Sequence, residues 1–317
     1  MCKSIRLLFL LFSILFALSG CLKNTESSAK IPDLPEKLDT DSSGTPLLKV
    51  YDANAKSIQE TPIEEYVAGV VAGEMKNDWP IEALKAQAIL ARTFVLKFCE
   101  MKSSKYSGAD ISTDVSEAQA FAPESINDRV REAVEETKGL VMSADGEYPY
   151  AWFFAHSGGQ TELPSVALDY QKDDPDYLSS VPSNDSDKAP ESVKNWEVSF
   201  TRDQVRKACA DVGIKLDSIQ SFEIGERGES GRAKTFIVNG QAISAPSFRI
   251  AIGANKLKST LISSIEMSGK AITFTGRGFG HGVGMSQWGA YALAEEGKSA
   301  EEIIQHYFTN VDIIQMW

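Results

Sequence analysis

The chain is poor in the residues from which metal centres and nucleophile sites are built. Its 317 residues hold three histidines and four cysteines, with no CxxC or HExxH spacing, so no recognisable zinc site is written into it. The GxxxxGK[ST] spacing is absent, since Gly297-Lys298-Ser299 has Ala292 where that pattern needs glycine, which removes the phosphate-cradling loop. An excess of basic charge is also missing. The net charge of −12 argues against nucleic acid as a partner and against adhesion to anionic lipid, both of which need basic patches. Internal repeats and a regular βαβ alternation are absent, which sets aside solenoids and doubly wound sheets. The apolar run Leu7–Leu18, broken by Ser13, is about as long as a signal-peptide core and falls short of the roughly 20 apolar residues of a spanning helix.

What is present describes an exported globular protein. Hydrophobic residues make up 43% and charged residues 24%, which is enough apolar material for one large domain or two small ones. Lys3 and Arg6 precede the apolar run as a positive leader. Residues 22–47, rich in Ser, Thr, Asp, Lys and Pro, read as a flexible tether, and globular sequence begins near residue 48. Cys99 and Cys209 could pair in an oxidising compartment, although Cys99 continues the apolar face of a helix and reads better as buried and free. A second polar stretch, 171–195, is either a domain boundary or a long surface loop.

Helical spacing runs from Ile63 through Tyr66, Val67, Val70 and Val71 after a Thr61-Pro62 start, and predicts a short helix ending near Glu74. A second helix is predicted after Asp78, with Leu84, Ala88, Ala91, Val95 and Phe98 on one face. Strands are expected at 148–154, 196–200, 234–238 and 271–274, and helices at 286–296 and 300–308. The fold class is α+β: a single mixed helix-and-sheet domain over 48–317, with room for a smaller subdomain.

Three places could carry chemistry. Glu74 closes a helix among small residues. The negative end of that helix, and burial among Val70, Val71 and Trp79, would oppose its ionisation, as a general acid requires. Read locally, however, a lone Glu at a helix end is a solvated surface residue. The second place is the polar loop His156-Ser157-Gly158-Gly159-Gln160-Thr161-Glu162 after an aromatic stretch, which could equally be a plain turn. The third is Gly276–Ala290, where five glycines alternate up to Gly284 ahead of Ser286, Gln287 and Trp288. Such density lets backbone approach a ligand or another segment closely, and His281, Ser286, Gln287 and Trp288 could grip a sugar. His306 reads as structural.

Two resemblances extend this reading. Leu18-Ser19-Gly20-Cys21 resembles the lipobox of bacterial lipoproteins. It implies cleavage before Cys21 and lipidation of its sulfur, with 1–21 as signal peptide; an uncleaved transmembrane anchor is the alternative. Either places the domain outside the cytoplasm, anchored to the membrane. The stretches Glu64–Met75, Trp79–Ala88, Ala91-Arg92-Thr93 and Gly276–Ala290 resemble the stage II sporulation protein D family, as do smaller matches at Asp114 with Gln119, Ser157–Glu162, Ser230–Ala233 and Phe248-Arg249. The resemblance implies a lytic transglycosylase that acts in engulfment on glycan strands already stripped of stem peptides by an amidase. It implies that Glu74 is the catalytic acid. His156, Ser157, Gly159, Thr161, Glu162, His281, Ser286 and Gln287 would line the substrate groove. Some members of the family bind zinc near the first loop through His and Cys together; here that loop offers His156 and no Cys, so no metal and no cofactor is expected. Two other classes stay open. One is a non-catalytic glycan-binding activator of a cell-wall amidase. The other is a metal-dependent hydrolase using His156 and His281.

Overall fold

A computed structural model describes residues 29–317. The leader, the apolar run and Cys21 lie outside the described residues. In chain order the elements are β1 (Asp39–Thr40), β2 (Pro46–Asp52), β3 (Ser57–Pro62), α1 (Ile63–Glu74), α2 (Ile81–Met101), β4 (Ile111–Ser112), α3 (Asp128–Glu136), β5 (Leu140–Ser143), β6 (Phe153–Phe154), α4 (Pro164–Ala167) and α5 (Glu191–Lys194). They continue with β7 (Asn195–Thr201), α6 (Arg202–Asp211), β8 (Phe222–Ile224), β9 (Thr235–Val238), β10 (Gln241–Ser244), α7 (Ala245–Ile252), β11 (Ile262–Ser268), β12 (Ala271–Arg277), β13 (Met285–Ser286), α8 (Gln287–Glu295), α9 (Ala300–Tyr307) and β14 (Asp312–Gln315). The mixture is α+β, as the sequence predicts.

Two hydrophobic cores divide the chain. The first surrounds α2, which is buried on nearly every side, because Ala83, Ala86, Ile89, Leu90, Leu96 and Cys99 join the predicted apolar face. Helices α1, α3, α8 and α9 and strands β4 and β5 pack around it. The second core is built on β12, which runs between β7 and β11 with Ile272 and Phe274 turned inward. Phe200, Phe222, Phe236, Phe248 and Phe274 pack there ring against ring, at centroid distances from 5.2 Å to 6.4 Å. This unit is an insertion. The chain leaves the first core after Ala189 and returns to it at Val283, and the strands on either side of this excursion, β6 and β13, pair in parallel, Phe153 with Met285 and Phe154 with Ser286. Cys99 is buried and free in the first core and Cys209 in the second.

Several boundaries differ from the sequence expectation. The proposed first-helix cap at Thr61 is not used, since Thr61 and Pro62 end β3 and Pro62 makes no side-chain cap. Of the strand expected at 148–154 only Phe153–Phe154 forms; Pro149 lacks an N–H for a ladder, and Tyr148 turns into the core instead. The described part of the expected tether also packs. Pro32 and Pro35 are buried, Leu34 and Leu38 lie against the first core, and β1 pairs with β2. Its polar composition conceals these few apolar anchors. The polar stretch 171–195 winds along the first core, where Leu178 and Ala189 are buried, and ends at the start of the insertion.

Candidate active site

The end of α1 is shaped by two glycines. A side chain at Gly69 would strike the Phe121 ring, and one at Gly73 would come within 2.8 Å of the Ala120–Phe121 backbone. Their absence lets residues 120–122 lie directly on the helix, where the Ala122 amide donates to the Gly69 carbonyl at 3.0 Å. The next residue in the helix, Glu74, receives the Ala120 amide on Oε1 at 2.7 Å. That loop is itself held: Glu117 accepts from Ser104 at 2.8 Å and from Ser112, and Asp114 from Tyr106 at 2.8 Å. At the opposite end of α1, the fully buried Arg92 clasps Glu64 with Nε at 3.1 Å and Nη2 at 2.6 Å, fixing α1 against α2.

Gln287, the first residue of α8, approaches Glu74 from the other side. Its Nε2 lies 3.5 Å from Glu74 Oε2 and 3.4 Å from Gln87 Oε1 on α2. The orientation follows from the acceptors, because a carbonyl turned to that point would face two oxygens. Burial pushes the Glu74 carboxyl above its ordinary range, against the lowering effect of the Ala120 and Gln287 N–H groups. Gln87 Nε2 and both amide atoms of Gln119 are buried without a protein partner. Trp79 and Trp288 pack at 4.4 Å between ring centres beside this group, with Tyr291 against both. The result is a half-buried carboxyl pushed above its ordinary range, faced by the Ala120 amide on one oxygen and the Gln287 amide on the other, with Gln87 behind Gln287.

The two glycine-rich loops meet each other, and most of their polar side chains face inward. His156 pairs with Phe279 through backbone bonds, and the Trp288 amide donates to the Ala155 carbonyl at 3.0 Å. Ser157, Thr161 and Glu162 are buried and internally bonded. Ser157 Oγ donates to the Ser183 carbonyl, Thr161 Oγ1 accepts from the Val181 amide at 2.8 Å, and Glu162 Oε2 accepts from Ser230 N and Oγ at 3.0 and 2.7 Å. Arg232, fully buried, donates to the Gln160 carbonyl at 2.8 Å and the Ser157 carbonyl at 2.6 Å. It fits because Gly282 has no side chain: a Cβ there would sit 2.3 Å from Arg232 Nε. Gly284 makes room in the same way for the Trp152 carbonyl, which lets β6 and β13 pair. Ser286 is buried and caps α8, accepting from the Gly289 amide at 3.3 Å. Gly159 is exposed.

Neither imidazole hydrogen-bonds to Glu74 or Gln287. His156 Nδ1 lies 3.0 Å from Asp185 Oδ2 and 3.1 Å from the Gly158 amide. Burial, with Lys194 and Arg232 nearby, outweighs Asp185 and holds His156 below its ordinary range. His281 accepts from the Val283 amide at 3.0 Å, and burial, aided by Arg249 and Arg232, pushes it down to about 3, so it is neutral at physiological pH. Among the described residues no group of three or more His, Cys, Asp or Glu could hold a metal ion. The donor set at His156, one carboxylate and no thiol, does not fit a zinc centre. Gln87, Gln119, Asp185 and Arg232 were not singled out as site residues from sequence. Glutamines within helical or loop sequence give no local signal, and Asp185 and Arg232 reach their partners only through tertiary folding.

The family model described as stage II sporulation protein matches residues 51–143, and one described only as a domain of unknown function matches 155–284. Two proteins named stage II sporulation protein D, from Bacillus subtilis (strain 168) and Bacillus amyloliquefaciens, are each 32% identical to this chain. The alignments cover 84% and 83% of it and 78% and 77% of those proteins. A Bacillus subtilis protein named amidase enhancer is 29% identical over 76% of this chain and 39% of its own length.

Proposed function

The chain belongs to the stage II sporulation protein D family, and from that premise we propose that it is a lytic transglycosylase of the sporulating cell wall, cutting peptide-stripped glycan strands with Glu74 as its single acid and base. The observation that carries the reading is the half-buried Glu74 carboxyl, held above its ordinary range and faced by two N–H donors. Glu74 gives its proton to the glycosidic oxygen leaving the N-acetylmuramic acid ring. The Ala120 and Gln287 N–H groups stabilise the carboxylate that forms. That carboxylate takes the proton of the sugar's own 6-hydroxyl as its oxygen bonds to the anomeric carbon. A 1,6-anhydro ring results, and Glu74 ends protonated as it began. An ordinary glycosidase needs two carboxylates, whereas an internal nucleophile already held in place dispenses with the second.

The loops at 156–162 and 281–287 shape the groove. Gly159 and Gln287 face the strand, while Ser157, Thr161, Glu162 and Ser286 hold the walls; His156 and His281 act as neutral parts of the same frame. The catalytic domain spans 48–317, with the segment 32–47 packed on its first core, and stands outside the cytoplasm, tethered through lipid on Cys21 or through an uncleaved anchor. Among the described residues no helix is long and apolar enough to cross a membrane. A cell-wall amidase that strips the strands is the expected partner. The relative named amidase enhancer supports a second reading, a glycan-binding module that activates such an amidase without cutting strands itself. Chromatography of stripped strands after incubation separates the two. The native protein shortens the strands and Glu74→Gln leaves them whole; strands that bind yet keep their length with both proteins favour the activator.

A further inference from the structure

Two arginines outside the buried frame stand together. A pocket of about 400 Å³ opens on the inserted unit beside the 156–162 loop. Ser230, Leu261, Ile262 and Gly276 form its floor, and Arg227 and Arg277 its exposed rim. Backbone carbonyls fix both side chains. Arg277 Nε donates to the Gly158 carbonyl at 2.9 Å, and Arg227 donates through Nη2 to the Ile262 carbonyl at 2.9 Å and through Nη1 to Gly231. Among the described residues neither terminal nitrogen of Arg277 has a protein acceptor, and no carboxylate forms an ion pair with either arginine. In a chain with 44 acidic and 32 basic residues, two guanidinium groups kept clear of carboxylates make a place for an anion. The free fork of Arg277 matches the two oxygens of a carboxylate.

A short run of contacts links the pocket to Glu74. The Gly158 carbonyl accepts from Arg277, the Ala155 carbonyl accepts from the Trp288 amide, and Gln287, the residue before Trp288, faces Glu74. Three residues of chain from Ala155 to Gly158 reach about 11 Å at most. We propose that this pocket binds the lactyl carboxylate of an N-acetylmuramic acid residue in a stripped strand, and so distinguishes stripped strands from peptide-bearing ones. The inference rests on the glycan-strand reading above. In a peptide-bearing strand that carboxyl is an amide, neutral and encumbered by the peptide. Removal of the peptide leaves a free anion that a guanidinium fork can take.

The test is calorimetric titration of the full chain in detergent, carrying Glu74→Gln so that strands persist. One ligand is stripped glycan; the other is the same glycan with its lactyl carboxylates converted to methylamides. The intact pocket binds the free-carboxylate strands about tenfold more tightly at low salt, the size of one charge-assisted contact. Arg227→Gln with Arg277→Gln weakens binding of the free-carboxylate strands by that factor and leaves the amidated ones unchanged. Arg227→Gln alone, which keeps the Arg277–Gly158 bond, loses part of the preference without disturbing the loop. Equal affinity of the intact pocket for both ligands overturns the proposal while the strand-cleavage reading stands, and so does a preference that survives the double substitution. Binding of neither ligand overturns both.

Discussion

Glu74 and Glu162 are both carboxylates drawn into the protein, and their surroundings could hardly differ more. Glu162 is 2% exposed and answered by three donors, two from Ser230 and the Leu163 amide, with Arg232 close by. Glu74 is half-buried, bonded well on one oxygen only, and met on the other by the Gln287 amide at 3.5 Å. Full satisfaction makes a buried charge part of the frame, whereas incomplete satisfaction leaves a carboxyl whose proton is available. The loop of Glu162 looks the more functional of the two in sequence, with its His, Ser, Thr and Glu beside paired glycines. The folded protein uses most of those groups to hold itself together.

The contrast breaks most sharply at Glu74. Glu74→Gln is expected to lower strand cleavage by about 10²- to 10⁴-fold or more, the usual worth of a general acid, without loss of fold. Its stability should move the other way. Burial raises the folded carboxyl above its unfolded value, so its contribution is present in acid and is lost as pH rises through the folded pKa. The glutamine variant, neutral at every pH, therefore melts higher than the native chain at neutral pH, and the gap closes in acid. Thermal melts at both pH values check this.

Arg232→Met tests the other pole. It leaves Glu162 buried without its neighbouring cation and strips the Gln160 and Ser157 carbonyls of their donor. A loss of about 3–5 kcal/mol in chemical unfolding is expected; a loss under 1 kcal/mol would contradict the structural role. Gly73→Ala joins the two regions at smaller cost. Its Cβ meets backbone at 2.8 Å, so the 120–122 loop must shift, at about 1–3 kcal/mol of overpacking. Because that shift withdraws the Ala120 donor, cleavage should fall more than the melting temperature suggests. The smallest effect belongs to Gln287→Leu. It removes an N–H that lowers the Glu74 pKa, so the alkaline limb of the pH–rate profile should move to higher pH. An unmoved limb would show that this long contact carries no electrostatic weight.

Much of the frame was legible in the sequence because it rests on local pattern. The end of α1 at Glu74, the run of α2, strands β7, β9 and β12 and the two final helices follow from spacing and breakers. Ser299 and Glu302 form the capping box of α9, in keeping with a helix starting at Ala300. What stayed hidden depends on distant partners. Read alone, Glu74 belongs on a wet helix end; the Ala120 loop and Gln287, far along the chain, make it otherwise. Alternating glycines announced close approach but not what approaches, which proves to be Arg232 and the Trp152 carbonyl.

The central claim, that Glu74 acts as a lone acid and base with the sugar as its own nucleophile, is tested most directly by mass spectrometry of the strand ends produced by native protein and by Glu74→Gln. New 1,6-anhydro-muramic ends with the native protein and none with the variant are the predicted result. Ordinary reducing ends, which require attack by water, or anhydro ends that persist in Glu74→Gln, would contradict it.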